Sequence, residues 1–500
     1  MNKYQYLKKY FGYSSFREGQ ESVIDSILSE KDTVAIMPTG AGKSLCFQIP
    51  ALMFPGITLV VSPLISLMKD QVSALLQNGI AAAYINSSLT EFQLGQTLSR
   101  FSQGKYKIVY VAPERLVLSS FRRICSQLNI SFVCVDEAHC VSQWGKDFRP
   151  EYLKIKDFIA SLKQRPVLAA VTATATERVR DDIVNLIGLE KPEITVLSFD
   201  RKNLFFACRE PKNKEDELLK LLNGFSGKSG IVYCSSRKKV DELYFSLSQK
   251  GYNVARYHAG MNKDERKKNQ ELFSNDEKEI IIATNAFGMG IDKSNVSFVI
   301  HFNMPGDMES YYQEAGRAGR DGNEASCILL FNKGDVRIQQ YFIDNPEESS
   351  DLSAKEKELL RENRIEKLCD MIVYAHTKGC LRKYILSYFG EEMKEDCGFC
   401  SSCVEKKLEE NKKVRSVPAE PESFDSELFD LLKKLRKQIS EKKKVPAFVV
   451  FTDATLKLMA TKKPLTEDEF LAISGVGQRK CQQYAAIFIK EIKKHIKNNG

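Results

Sequence analysis

The chain has 500 residues, of which 43% are hydrophobic and 28% charged, and its net charge is +9. This length is too great for a single hydrophobic core and predicts a soluble protein of three or four domains. The sequence has neither the apolar core of a signal peptide nor a run of roughly 20 apolar residues, which excludes secretion and a membrane span and favours the cytosol. In that compartment the 13 cysteines indicate reduced thiols and a metal site, not a disulfide framework.

Short β-branched runs, each followed by a helical pattern, recur through the first two thirds of the chain. Each run is almost continuously apolar, as expected for a strand that is buried on both faces of a parallel sheet. The pattern predicts two tandem doubly wound α/β domains at 1–200 and 201–340. A small helical module with cysteines at 341–404, an exposed charged linker at 405–422 and a basic all-α domain at 423–500 are expected to follow.

The stretch MPTGAGKS lies between a predicted strand and a predicted helix, which is the context of a phosphate-binding loop. Gly40 and Gly42 would let backbone N–H groups approach phosphate oxygens. Lys43 would reach the β and γ phosphates, and the Ser44 hydroxyl would hold Mg²⁺. Met37 replaces the first glycine of the strict pattern, so a chance glycine turn is the alternative.

An acidic pair and two arginines complete the predicted chemistry. In VCVDEAH, Asp136 would hold the metal through water and Glu137 would orient and deprotonate the attacking water. An isolated Asp-Glu pair is more often a surface turn, and only its place after a buried strand favours the catalytic interpretation. In YYQEAGRAGRDG, Arg320 is the candidate finger for the transferring γ-phosphate, with Arg317 beside it.

These stretches, taken in order, resemble the motifs of superfamily 2 helicases, and specifically of the RecQ DNA helicase family. The resemblance covers almost the whole chain and includes FGYSSFREGQ, PTGAGKS, VVSPLISLMKDQ, YVAPERL, DEAH, TATAT, IVYCSSRK, YHAGM, ATNAFGMGIDK and QEAGRAGR. It implies two RecA-like domains that hydrolyse ATP with Mg²⁺, are stimulated by DNA and move 3′ to 5′ on a single strand. It implies nucleotide contacts at Tyr13, Arg17, Gln20, Thr39, Gly40, Gly42, Lys43 and Ser44. It also implies Mg²⁺ at Ser44 and Asp136.

Trp144 is the only tryptophan of the chain, and it lies in HCVSQWGKDFRP. This stretch is similar to the aromatic-rich loop that senses single-stranded DNA in RecQ proteins. The similarity implies strand contacts at His139, Gln143, Trp144, Phe148 and Arg149. Flat aromatic faces stack on bases at about 1–3 kcal/mol per base without sequence preference. A tryptophan that fills a gap between the two α/β domains is the alternative.

Four cysteines near residue 400 have the spacing of a zinc site, and RecQ relatives carry such a module after the helicase domains. The predicted ligands are Cys380, Cys397, Cys400 and Cys403. Four thiolates close the coordination shell, so the zinc would be structural. Cys369 and His376 lie nearby, but their spacing indicates helix positions.

The C-terminal domain resembles the HRDC domain, with a helix-to-helix turn at Gly475 and Gly477. Backbone N–H groups of this turn, together with Arg479 and Lys480, would give weak binding to DNA phosphates. A protein-docking module is nearly as compatible with the same pattern. The residues between Cys403 and this domain leave no room for the winged-helix domain of most RecQ relatives, so weak strand separation is expected.

The sequence therefore leaves three functions to compare. The first is a RecQ-type DNA helicase in repair and recombination, and the second is an ATP-dependent protein that remodels or anneals DNA strands. The third is an RNA helicase of the DEAD-box type, against which the aromatic-rich loop argues. Expected partners are single-stranded and forked or partly duplex DNA, a single-strand-binding protein and other repair proteins. A monomer in the bacterial cytoplasm, associated with the nucleoid, is expected.

Overall fold

The computed structural model describes residues 1–145, 148–288, 293–346, 354–411, 425–443 and 447–499. The chain divides into two compact units. The first unit is built mainly from 1–197 and the C-terminal residues from 423 onward, and the second from 198–288 and 293–422. No helix among the described residues has the length and apolar character needed to cross a membrane.

The first unit contains a seven-stranded sheet in the order β3-β4-β2-β5-β6-β1-β7, and every pair of neighbours is parallel. Its strands are β1 (Thr33–Ile36), β2 (Ile57–Val61), β3 (Ala82–Ile85), β4 (Ile108–Val111), β5 (Ile130–Asp136), β6 (Val167–Thr172) and β7 (Glu193–Val196). Strands β1, β2 and β4 are buried along their whole length, because their β-branched side chains meet helices on both faces. The parallel order puts the carboxyl ends of β1 and β5 at the same edge, separated by β6 alone.

The second unit contains a six-stranded sheet in the order β10-β11-β9-β12-β13-β8, again with parallel neighbours. Its strands are β8 (Leu204–Arg209), β9 (Gly230–Tyr233), β10 (Val254–Tyr257), β11 (Ile280–Ala283), β12 (Phe298–His301) and β13 (Ala325–Leu330). The predicted fold class of two doubly wound parallel-sheet domains is confirmed.

Helices alternate with the strands in both units. The first sheet is accompanied by α1 (Lys3–Tyr6), α2 (Gln20–Leu28), α3 (Lys43–Met53), α4 (Ile65–Gln77), α5 (Glu91–Ser102), α6 (Ser119–Cys125), α7 (Ile155–Ala160) and α8 (Glu177–Ile187). The second sheet is accompanied by α9 (Lys214–Gly224), α10 (Arg237–Gln249), α11 (Lys263–Ser274), α12 (Met308–Ala315) and α13 (Lys333–Asp344).

Two helical modules follow the sheets in sequence. The cysteine-bearing module consists of α14 (Ala354–His376), α15 (Leu381–Tyr388) and α16 (Ser401–Asn411). The C-terminal domain consists of α17 (Ser426–Lys443), α18 (Ala447–Val450), α19 (Asp453–Lys462), α20 (Glu467–Leu471) and α21 (Gln478–Asn499). The first residues of the expected linker at 405–422 differ from the prediction, because α16 extends to Asn411. The linker residues from 412 onward lie outside the described residues.

Candidate ATP site, DNA interface and zinc centre

The predicted phosphate loop connects buried strand β1 to helix α3. Gly40 and Gly42 have φ angles of 89° and 81°, a left-handed conformation that favours glycine. Gly42 is the residue immediately before α3, so the loop delivers its backbone N–H groups to a helix N-terminus. The Lys43 ammonium folds over the loop and donates to the Met37 carbonyl at 3.2 Å.

Arg17 and Gln20, which the resemblance assigns to adenine, contact the phosphate loop. Arg17 Nη1 donates to the Gly40 carbonyl at 2.5 Å. Gln20 Nε2 donates to the carbonyls of Ala41 and Gly42 at 3.0 and 3.1 Å. A Cβ on Gly42 would lie 2.4 Å from Gln20 Nε2, so a larger residue would displace this amide as well as strain the left-handed backbone. These side chains therefore brace the loop, and their contact with adenine stays a prediction.

The remaining predicted nucleotide ligands surround the same loop. Thr39 is buried within it, and Ser44 lies in the first turn of α3. Tyr13 packs at the edge of a small apolar cluster that includes Ile24 and Ile49. The ring is half-buried, and its predicted stacking on adenine is not tested by the structure.

The acidic pair lies at the carboxyl end of β5. Asp136 is the last residue of the strand, its carboxylate is buried, and its Oδ1 accepts the Glu137 backbone N–H at 3.0 Å. Glu137 has a φ of 48°, which is uncommon for a residue with a Cβ and concentrates at functional sites. Within the described part of the chain, no hydrogen bond reaches the buried Glu137 Oε2. The strained backbone of Glu137 thus accompanies a buried carboxylate oxygen that has an ion-pair contact with the His139 ring at 3.5 Å.

Burial and the neighbouring Glu137 carboxylate raise the pKa of Asp136 to about 7, whereas Lys43 lowers it. A divalent cation beside Asp136 would favour the ionised form and offset this cost. A hydroxyl on α3 and a carboxylate on β5 are oxygen donors of the kind that Mg²⁺ prefers. The residues present therefore fit a magnesium ion held by Ser44 and Asp136.

His139 links the acidic pair to the strand beside it. The residue lies in a buried 3₁₀ turn, Ala138–Val141, directly after Glu137. Its Nδ1 is 2.7 Å from Thr172 Oγ1 at the end of β6 and 3.5 Å from Glu137 Oε2. His139 is buried among these protein groups and is only 4% exposed. Its predicted contact with DNA stays a prediction.

The aromatic-rich loop folds back on this turn. A Cβ on Gly145 would lie 2.2 Å from the His139 carbonyl oxygen, so only glycine permits the return of the chain. Trp144 is half-buried, and its backbone N–H donates to Ser142 Oγ at 3.1 Å. The Arg178 guanidinium covers the indole, with Cζ 3.1 Å from the ring centroid. Sequence reasoning missed Arg178, since nothing in its local pattern indicates an aromatic partner in another segment.

The other predicted strand contacts lie beside this loop. Arg149 Nη1 donates to the Pro63 carbonyl at 3.2 Å, and its backbone N–H donates to the Cys140 carbonyl at 2.9 Å. Gln143 and Phe148 are half-buried. Their accessible surface permits contact with a strand, but their assignment to DNA stays a prediction.

The two predicted arginines lie in the second unit, after α12. Arg317 is buried, and a Cβ on Gly288 would come within 2.5 Å of its Nη2. Burial raises the pKa of Tyr233, and the positive charges of Arg317 and Arg320 oppose that shift. Both guanidiniums are thus close to the carboxyl end of β9. The role of Arg320 as an arginine finger for the γ-phosphate stays a prediction.

The structure brings the four predicted zinc ligands together. Their sulfur atoms all lie within 4.8 Å of one another. Cys380 Sγ accepts the backbone N–H groups of Cys397 and Lys383 at 3.3 and 3.4 Å. Burial raises the pKa of Cys380, but these hydrogen bonds outweigh it, so its pKa is lower than usual. Backbone donors aimed at sulfur stabilise thiolates, which is the form that binds zinc.

The turn that was predicted to bind DNA phosphates faces the protein. The Gly475 N–H donates to the Gly12 carbonyl at 3.3 Å, and a Cβ on Gly79 would lie 2.9 Å from Arg479 Nη1. Burial lowers the pKa of Lys480 to about 8, so its charge is poorly solvated. This arrangement favours the docking alternative for the turn, and DNA binding by it stays a prediction.

Four family models match successive parts of the chain, in the same order as the two α/β domains, the cysteine-bearing module and the C-terminal domain. They are DEAD/DEAH box helicase (17–183), Helicase conserved C-terminal domain (213–322), RecQ zinc-binding (333–404) and HRDC domain (425–492). Fold and site together define a two-domain helicase core that carries a zinc module.

Curated relatives of this class are similar over nearly the full length. The ATP-dependent DNA helicase RecQ of Bacillus subtilis is 38% identical, with 97% of each chain covered. The protein of the same name from Pasteurella multocida is 36% identical over 98% of this chain and 93% of its own. The chain belongs to the RecQ family of helicases.

A solved structure supports the fold alone. Saccharomyces cerevisiae Dbp5 bound to RNA and ADP BeF3 has a TM-score of 0.54 and 20% identity, and the match covers 71% of this chain and 94% of Dbp5.

Proposed function

We propose that this chain is an ATP-dependent DNA helicase that moves 3′ to 5′ on single-stranded DNA and unwinds duplexes in repair and recombination. Two features support the proposal: membership of the RecQ family and the contacts of the loop that carries Trp144. That loop packs on the turn of His139, which lies 3.5 Å from Glu137. A strand held against the indole would thus contact a loop that packs on the His139 turn, and His139 in turn contacts Glu137, the residue that would activate water.

Hydrolysis of ATP would use the carboxyl edge of the first sheet. Lys43 binds the β and γ phosphates, and the loop's backbone N–H groups hold their oxygens. Mg²⁺, held by Ser44 and Asp136, supplies positive charge to the phosphates when it is bound. Glu137 orients the attacking water and accepts its proton, and Arg320, with Arg317 beside it, stabilises the charge of the γ-phosphate.

Movement would follow from two states of the pair of α/β domains. ATP contacts from both domains favour the closed state, and loss of the γ-phosphate removes that bridge. Each cycle of closure and opening advances the strand by about one nucleotide. Bases stack on Trp144 and Phe148, while Arg149 and Gln143 are polar contacts for the strand.

DNA dependence of hydrolysis is the decisive test. ATPase rate is measured with no nucleic acid, with oligothymidine and with oligouridine, in the natural protein, Trp144→Ala and Lys43→Ala. We expect oligothymidine to stimulate the natural protein strongly, oligouridine to do so weakly, and Trp144→Ala to lose the stimulation. Lys43→Ala should remain folded with no hydrolysis. A natural protein whose rate is the same with and without DNA contradicts the proposal.

A second candidate is an ATP-dependent protein that remodels or anneals DNA with little unwinding. Its support is the length of the chain: the alignment to the Bacillus subtilis relative runs over 584 positions, more than the 500 residues available here. That relative therefore has segments without a counterpart in this chain. Single-turnover unwinding of a short forked duplex, beside a long blunt one, separates the candidates. Robust unwinding of the long blunt duplex argues against the second.

The proposed function includes the substrates, the partners, the assembly and the location of the protein. The substrates are single-stranded DNA and forked or partly duplex DNA, and the partners are a single-strand-binding protein and other repair proteins. The protein acts as a monomer in the bacterial cytoplasm, at the nucleoid. Zinc is structural, because four cysteine sulfurs leave no open position for a reacting molecule.

A further inference from the structure

Arg178 occupies an unusual place for a basic residue. It lies in the first turn of α8, where the helix dipole disfavours a positive charge. The side chain is exposed overall, yet its Cζ lies 3.1 Å from the centroid of the Trp144 ring. A guanidinium stacked on an indole gains from the cation–π interaction, which accounts for this position. The Trp144 indole is therefore the partner of the cation that α8 carries at Arg178.

A second contact ties the same loop to the same helix. Asp182 lies four residues after Arg178, and positions four apart share one face of a helix. Asp182 Oδ2 accepts the Ser142 hydroxyl at 2.6 Å, and Ser142 Oγ accepts the Trp144 backbone N–H at 3.1 Å. Helix α8 therefore holds both the ring of Trp144, through Arg178, and its backbone, through Asp182.

Helix α8 is also packed against the turn that carries His139. It is anchored by Val179 and Ile183, which are buried, so its position is fixed relative to the sheet. The segment before α8 contains Thr172, whose hydroxyl lies 2.7 Å from His139 Nδ1. The histidine turn is thus contacted both by the loop that carries the indole and by the fixed helix α8.

We propose that Arg178 is a positioning residue that stacks on Trp144 and holds the indole ready for a base of single-stranded DNA. The inference rests on the proposed function, because it assigns a preparing role at the strand site of that function. Without Arg178 the ring samples other rotamers, and the strand must order it on binding. The cost falls on DNA affinity, whereas the rate at saturating DNA depends on groups that the substitution leaves in place.

The single tryptophan makes this contact directly observable, since all indole fluorescence comes from Trp144. Emission spectra and ATPase titrations with oligothymidine are compared in the natural protein, Arg178→Ala, Arg178→Lys and Arg100→Ala. Arg100 is an exposed arginine on α5, so its substitution removes the same charge away from the loop. Thermal unfolding of each variant checks that it is folded.

We expect Arg178→Ala to shift the emission maximum to longer wavelength and to raise the half-stimulating DNA concentration about fivefold, with less than about a twofold change at saturation. Arg178→Lys keeps the charge but not the planar stack and should recover part of both effects. Arg100→Ala should match the natural protein in emission and in titration.

Three results would overturn the inference. They are unchanged emission in Arg178→Ala, changed emission with an unchanged titration, and a lower half-stimulating concentration, which would make Arg178 a competitor of the strand. Failure of the proposed function looks different, because oligothymidine then fails to stimulate the natural protein itself.

Discussion

The two helical modules are attached to their sheets by contacts of different kinds. In the second unit, the buried Arg382 guanidinium of the zinc module donates to Asp200 at 2.9 Å and to the Leu204 carbonyl at 2.7 Å. The Phe389 ring stacks on Phe199 with centroids 4.5 Å apart. Charge, carbonyl and aromatic contacts are therefore all buried at the edge strand of the second sheet.

In the first unit, the C-terminal domain meets the N-terminal segment through backbone and polar contacts. Gly475 donates to the Gly12 carbonyl at 3.3 Å, and Lys8 Nζ donates to the Leu471 carbonyl at 3.1 Å. A Cβ on Gly12 would lie 2.2 Å from the Val476 backbone, so the two segments can approach this closely only because Gly12 has no side chain.

The difference indicates two kinds of module. Buried charge pairs are costly to break, because the remaining partner stays desolvated. Polar contacts can exchange with water, and each contributes little net free energy. We therefore expect the zinc module to be an integral part of the second α/β domain and the C-terminal domain to be the more easily separated of the two modules. The following substitutions test this contrast.

The largest effect is expected from Arg382→Met. The substitution leaves the Asp200 carboxylate, 16% exposed, without its cation and should lower the free energy of unfolding of the second unit by about 3–5 kcal/mol. Urea unfolding measures this. Arg361→Met is the matched control, because Arg361 pairs with Asp344 at the surface and should contribute less than about 1 kcal/mol. Equal effects in the two variants would remove the argument for an integral module.

Cys397→Ser should come next. A hydroxyl is a poor substitute for a thiolate, so zinc affinity should fall by about 100-fold or more, and the second unit should unfold at a lower temperature. Zinc content and calorimetry measure these two effects. Cys369→Ser is the control, since Cys369 is exposed on α14 and lies outside the sulfur cluster. Zinc at one ion per chain in both variants would contradict the assignment of the ligands.

Gly477→Ala should loosen the C-terminal domain without unfolding either part. A Cβ at this position would lie 2.9 Å from the Tyr10 carbonyl oxygen, so the contact must open slightly. We expect the amide hydrogen of Gly475 to exchange about tenfold faster, which corresponds to about 1.4 kcal/mol. Gly95→Ala is the control, because open space surrounds that glycine. Unchanged exchange would mean that the contact tolerates a side chain and is not a close backbone fit.

The local chemistry of the sites could be predicted from the sequence, because it depends on residues close together in the chain. The glycines beside Lys43 adopt the left-handed backbone that a phosphate loop requires, and Asp136 ends a buried strand as expected. The spacing of the cysteines predicted a cluster, and their sulfurs are together. In each case a few consecutive residues determine the local geometry.

Contacts between distant segments could not be predicted in this way. The stacking of Arg178 on Trp144 depends on how α8 packs, and neither residue's neighbours encode that packing. The turn with Lys480 reads as a cationic phosphate site by sequence. In the fold the turn packs against the N-terminal segment at Gly12, because the glycines allow a close backbone approach there.

The smallest effect is expected from Lys8→Met, which removes one hydrogen bond between the N-terminal segment and the C-terminal domain. The Leu471 carbonyl can be hydrated when the ammonium is lost, so the net cost should be about 0.5–1 kcal/mol, in the lower part of the usual range for one hydrogen bond. Exchange of the Gly475 amide should then accelerate by less than in Gly477→Ala, and Lys105→Met, an exposed lysine elsewhere in the first unit, should not change it. An effect as large as that of Arg382→Met would show that one polar contact fixes the C-terminal domain, which would then be as integral as the zinc module.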